Sequence, residues 1–302
     1  MKKTILSIFA LLLIFVSCQQ DPIFYDIAQE IKLDDPTIGG KVLSIKELDG
    51  TLYATNGLLN YKSLSDHRWS KMSTPLSTVT NVAIGGNYVY ISGNPTDDDT
   101  FTIYGRSKDS TNWTKIKTGV TSLFDDNAGT AYYTKDEKLY KLNETTSEDI
   151  TDSYNKVDGM NSAVKVGDTD YFFNTTISAS NGSFFYIADE KALKIGNTVD
   201  TSTWKTTSEL SSTITSICIY NNQLYVGTES GVQVATINND GNLSSFSNLP
   251  NNAESAFGDR EILGVWKFDD NDNFFVSVTS GSSSIYDALW GYNSDSGKWN
   301  LE

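Results

Sequence analysis

The side chains able to do chemistry are few, and most fall in turns. His67 is the single histidine. No histidine-based metal cluster can form around it, and a Ser-His-Asp triad would rest on that one turn residue. The two cysteines, Cys18 and Cys218, cannot build a zinc site. Aspartates cluster twice, at Asp97-Asp98-Asp99 and at Asp269-Asp270-Asn271-Asp272-Asn273. The second run alternates oxygen ligands like the start of a calcium loop. It lacks the glycine and the closing glutamate of such a loop, so solvated turns are expected at both places and no metal is assigned. The sequence holds no phosphate-cradling glycine loop and no G-x-S-x-G elbow, and no cofactor is expected. Carboxylates are the one abundant reactive group, 38 Asp and Glu against 23 Lys and Arg for a net charge of −15. A surface of that sign repels phosphate backbones, which excludes nucleic acid as an expected partner.

What must position these groups is a repeat. First segments recur at Val42 (VLSIK), Val79 (VTNVA), Val120 (VTSLF), Asn161 (NSAVK), Ile214 (ITSIC) and Ile262 (ILGVW). Each carries an aliphatic at its fourth place: Ile45, Val82, Leu123, Val164, Ile217 and Val265. Before it stands a small or short polar residue, as suits strands converging on a crowded axis. The period of roughly 44 residues is that of a four-stranded propeller blade, which must stack on neighbours to bury both faces. Turn pairs such as Asp49-Gly50, Gly167-Asp168 and Asn221-Asn222 follow, then aromatic second segments such as Leu52-Tyr53, Tyr132-Tyr133 and Phe274-Phe275. Fourth segments open on Trp69, Trp113, Trp204 and Trp299, with Ile150 and Phe246 as stand-ins where tryptophan is missing. A ring at a fixed place in each repeat predicts packing between blades. The spacing therefore predicts an all-β, six-bladed propeller of four-stranded blades over residues 41–302. A seven-bladed ring is the alternative if residues 22–40 form a degenerate unit.

Residues 1–17 read as a leader: Lys2 and Lys3, an apolar run from Ile5 to Val16, then Ser17. Phe15-Val16-Ser17-Cys18 resembles the lipobox of bacterial lipoproteins, with Phe at the usual Leu position. That resemblance implies acylation of Cys18 and a membrane anchor, and Gln19 implies an outer-membrane address. Residues 18–40 then form a tether that is expected to add an edge strand to the last blade. With Cys18 acylated, Cys218 has no disulfide partner in its own chain.

Long connections mark the face expected to recognise a partner. They are residues 93–100, the stretch 176–190 with Asn181-Gly182 opening a protruding hairpin, 279–286, and the inter-blade segment 249–261. Asp97, Asp98, Asp99, Phe184, Phe185, Tyr186, Phe257 and Tyr286 are the partner-binding candidates. No residue is assigned a catalytic role. Tyr292 to Trp299 resembles the end of a kelch repeat, without its double glycine. Ser107 to Trp113 is similar to the Asp box of sialidase-type propellers, one residue short and without its glycine. Both resemblances imply a propeller lipoprotein of the Gram-negative envelope and leave activity open. The expected function is a non-enzymatic, monomeric binding platform for protein or glycan. Alternatives are a glycan-active hydrolase or lyase with paired carboxylates in the central funnel, and a subunit of an envelope assembly with a flat apolar patch.

Overall fold

The computed structural model describes residues 38–95, 100–156, 159–250, 253–279 and 287–302. Within them the regular structure is strand, apart from a 3-10 turn at Thr201–Thr203 and a one-turn helix at Ala253–Ala256. None of the described helices is long and apolar enough to cross a membrane. Six four-stranded antiparallel blades form, with neighbours in the sheet following chain order. They occupy residues 44–72, 76–118, 122–149, 178–206, 214–248 and 261–301, here blades 1 to 6. First strands pack on first strands from blade 1 to blade 3 and from blade 4 to blade 6, which makes them the innermost. The all-β ring of six four-stranded blades is the one the repeat predicts.

A three-stranded sheet stands between blades 3 and 4 and divides the fourth sequence unit. Its inner strand, Ser162–Val166, pairs with Thr169–Phe173, and the chain then passes directly into blade 4 at Ser178–Ser180. The outer place is filled in parallel by Asn155–Lys156, drawn from the preceding connection. Asn181-Gly182 is consequently the tight turn between the two inner strands of blade 4, with Gly182 at φ 84°, and not the tip of an insertion. The tether strand and degenerate unit expected before residue 38 lie outside the described residues. At the boundary, Gly39 forms a bridge to Ala288, and the Ile38 N–H donates to the Glu302 carbonyl at 3.3 Å.

The apolar side chains form seven clusters, and each spans a junction between adjacent sheets. Trp69 of blade 1 meets Phe275 of blade 6 edge-on, with centroids 5.8 Å apart. Trp204 lies on Phe173 and Phe185, and Trp299 on Phe257 and Phe274. Burying a large apolar side chain contributes about 1.5–3 kcal/mol, so these seams hold the ring together. At the blade 1–blade 6 seam, the buried Lys62 ammonium pairs with the Glu302 carboxylate at 3.2 Å and sits 4.6 Å over the Phe275 ring.

Blade 2 shows how tightly backbone meets backbone. Its inner strand is bulged at Leu76/Thr78 and at Val79/Asn81. A Cβ on Gly93 of the facing strand would lie 1.8 Å from the Thr78 carbonyl oxygen. The obstacle is main chain and cannot rotate away. Gly93→Ala is expected to cost about 1–3 kcal/mol in a urea titration.

Candidate functional site

The predicted partner-binding residues separate into two groups. Asp97, Asp98, Asp99 and Tyr286 lie outside the described residues. The remaining candidates are packing residues. Phe185 and Tyr186 are fully buried on the second strand of blade 4, and Phe257 is buried in the blade 5–blade 6 seam beneath Trp299. Phe184 is half-buried and caps Gly241 of blade 5, where a Cβ would meet its ring at 2.7 Å. The Tyr186 hydroxyl donates to the Gly241 carbonyl at 3.0 Å, and burial pushes its pKa up to about 12. The aromatic run that looked like an exposed hairpin therefore packs between sheets, Phe184 and Tyr186 against blade 5 and Phe185 against the three-stranded sheet. The error follows from reading strand two of a blade as a loop tip.

His67 is exposed in the turn between the third and fourth strands of blade 1. Asp269 spends both oxygens on its own turn. Oδ1 accepts from the Asn271 and Asn273 N–H groups, and Oδ2 from the Asn273 side-chain amide at 2.6 Å. The segment is the first-to-second-strand turn of blade 6, as expected for a solvated turn. Cys218 lies on the inner strand of blade 5, and burial raises its thiol pKa to about 11. A thiol so raised is a poor nucleophile at neutral pH.

Two features escaped sequence reasoning. The first is a groove of 660 Å³ between blades 4 and 5. Hydroxyls and amides line most of it (Thr206, Ser208, Ser211, Gln233, Asn242), with Lys205 and Glu209 as charged members and Leu210 and Phe246 as apolar ones. The Lys205 ammonium donates to Asn242 Oδ1 at 2.9 Å, fixing one wall to the other. Glu209 is the single carboxylate among its lining residues.

The second feature is the electrostatic coupling of two carboxylates, Asp126 and Asp170, across the junction of blade 3 with the three-stranded sheet. Asp126 follows the inner strand of blade 3, and Asp170 lies on the central strand of the three-stranded sheet. Tyr132 donates to Asp170 Oδ2 at 2.8 Å. Burial raises the Asp126 carboxyl above its ordinary range, and the charge on Asp170 adds to the shift. The adjacent Asp125 is different: its buried carboxylate holds the Lys46 ammonium at 2.6 Å and the Ile84 N–H at 2.8 Å, tying blades 1, 2 and 3 together. Local spacing marked neither acid, because both sit at ordinary turn and strand positions and meet only through packing between sheets.

No protein-family model and no curated relative matches the sequence. Among solved structures the chain is similar to the WD40 β-propeller domain of Doa1, at 13% identity and a TM-score of 0.51, covering 86% of this chain and 99% of that one. The chain is a β-propeller. It is also similar to the PQQ-bound aldose sugar dehydrogenase from Streptomyces coelicolor, at 6% identity and a TM-score of 0.51, covering 90% and 98%. Sqt1 from Saccharomyces cerevisiae follows at 11% identity and a TM-score of 0.49, covering 88% and 85%. Identities this low carry the fold and nothing of the chemistry.

Proposed function

We propose that the chain is a non-enzymatic binding platform of the cell envelope, anchored through an acylated Cys18, that takes a glycan or an extended peptide segment in the groove between blades 4 and 5. The observation that carries this reading is the lining of that groove. Hydroxyl and amide groups alternate with apolar surface there, which suits a ligand rich in hydrogen-bonding groups and poor in charge. The enzyme reading asks for paired carboxylates facing a cavity, and the carboxylate lining this groove is Glu209. The assembly-subunit reading asks for an apolar patch. The exposed large apolar side chains among the described residues are Leu43, Leu58, Tyr61 and Val199, and Val199 stands apart from the three on blade 1. The kelch-like and Asp-box-like resemblances belong to this proposal as a lineage and contribute nothing to the site.

A glycan array and an envelope pull-down, run with wild type and with Gln233→Ala/Asn242→Ala, test the groove. Bound material is expected to fall at least roughly tenfold in the variant, equal to about 1.4 kcal/mol, with the thermal midpoint held. Equal binding by both proteins would exclude the groove. The anchor is tested separately. Cys18→Ser is expected to move the protein from the membrane to the soluble fraction, since each buried methylene of an acyl chain contributes about 0.8 kcal/mol. A variant that still pellets with membranes would remove the anchor from the account.

A further inference from the structure

The groove between blades 4 and 5 borders a sheet edge, the fourth and last strand of blade 4. The fourth strands of these two blades are the shortest of the six, two residues each at Lys205–Thr206 and Ser247–Asn248. Those of the other blades hold three to five residues. Residues 207–210 of blade 4 and 244–246 of blade 5 run on beside the short strands outside any regular strand, and both stretches line the groove.

The register identifies the open main-chain groups of this edge. Lys194 stands opposite Thr206 and Ile195 opposite Lys205, and the Thr207 N–H donates to the Leu193 carbonyl at 3.0 Å. Antiparallel strands turn alternate residues toward and away from their neighbour. With Thr207 turned inward, the Thr206 N–H and C=O face outward. The next two N–H groups, of Ser208 and Glu209, have no acceptor among the described residues. On the opposite wall the Ser245 and Phe246 N–H groups have none there either. A row of open amides along a sheet edge is a template for another strand.

An extended peptide answers such a row, because its own N–H and C=O groups repeat at the strand spacing; a glycan carries no such repeat. Side chains then read the lining. The groove offers apolar surface at Leu210 and Phe246 and a carboxylate at Glu209. Glu209 is exposed and forms no ion pair among the described residues. The Lys205 ammonium, by contrast, is engaged by Asn242 Oδ1 at 2.9 Å. The open charge of the groove is therefore negative, as is the net charge of −15 on the whole chain, and both favour a basic partner.

Building on recognition through this groove, we propose that a basic, extended peptide segment of a partner protein adds as a strand to the Thr206 edge of blade 4. Its main chain pairs with Thr206 and the open amides beside it. A lysine or arginine of the segment meets Glu209, and apolar residues alternating with it meet Leu210 and Phe246.

The test titrates a fluorescent, capped octapeptide of alternating lysine and valine into the purified full chain and reads anisotropy. Saturable binding is expected. Strand addition engages one edge of the peptide, so two copies are compared, N-methylated at the lysines or at the valines. One of them is expected to bind roughly tenfold or more weakly than the other. Thr206→Pro removes the outward N–H at an edge position that tolerates proline. It is expected to weaken the unmethylated peptide with the thermal midpoint held, and Glu209→Gln to weaken it roughly threefold. Equal affinity for the two methylated copies would overturn strand addition, as would the absence of saturable binding. Envelope glycan captured by wild type and Thr206→Pro, but lost in Gln233→Ala/Asn242→Ala, would overturn it too and leave the groove reading standing. Capture indifferent to both variants would remove the groove itself.

Discussion

Phe185→Ala is expected to lower the unfolding free energy by about 3–5 kcal/mol, the range for removing a buried aromatic ring from a core. Phe185 is fully buried, and its ring lies 5.1 Å from Phe173, 5.1 Å from Trp204 and 5.5 Å from Tyr171. These rings join blade 4 to the three-stranded sheet, so the cavity would open at a junction between sheets. A urea titration should show the midpoint falling with the slope held. The opposite pattern, full stability with loss of a binding partner, belongs to an exposed recognition residue and would return Phe185 to the surface role its sequence context suggested.

Glu302→Ala is expected to cost about 3–5 kcal/mol, the range for removing one partner from a buried ion pair. The Lys62 side chain is 3% exposed and the Glu302 side chain 14%. Glu302 Oε2 accepts from the Lys62 ammonium and from the Trp69 indole N–H at 2.9 Å. Removing the carboxylate leaves the ammonium over the Trp69 and Phe275 faces with no carboxylate bonded to it, and Asp272 acts on it only through its charge. Lys62→Met removes the charge and keeps the bulk, so the double variant Lys62→Met/Glu302→Ala should recover most of the loss. A Glu302→Ala protein as stable as wild type would mean that the blade 1–blade 6 seam closes on apolar packing alone.

Much of the ring was legible because packing at the axis repeats. Of the six aliphatics picked out by period alone, Ile45, Val82, Leu123, Val164 and Val265 are buried and Ile217 is half-buried. The turn residues with positive φ at Asp49-Gly50 and Asn221-Asn222 fall where the hairpin signals place them. The three-stranded sheet was not legible, and the reason is specific. Its outer place is filled in parallel by Asn155–Lys156, a pairing that needs no turn signature. Trp204, which fits the fourth-strand spacing of a single unit, then closes a different sheet from the one containing Phe172-Phe173. The candidate sites fared worse for the same physical cause. Phe184, Phe185 and Tyr186 carry the composition of a binding loop, yet they pack between sheets. Asp126 and Asp170 carry the composition of turns and strands, yet the charge on one acts on the other across a junction between sheets. Contacts between sheets are set by which blades become neighbours, and no local window records that.

The claim that recognition runs through the groove between blades 4 and 5 is tested most directly by photo-crosslinking in intact envelopes. A photoreactive side chain is placed at position 233 in one protein and at position 98 in another. The account predicts a discrete crosslinked species from position 233 and none from position 98. A species formed from position 98 alone would contradict it and move the site to the loop that joins the second and third strands of blade 2.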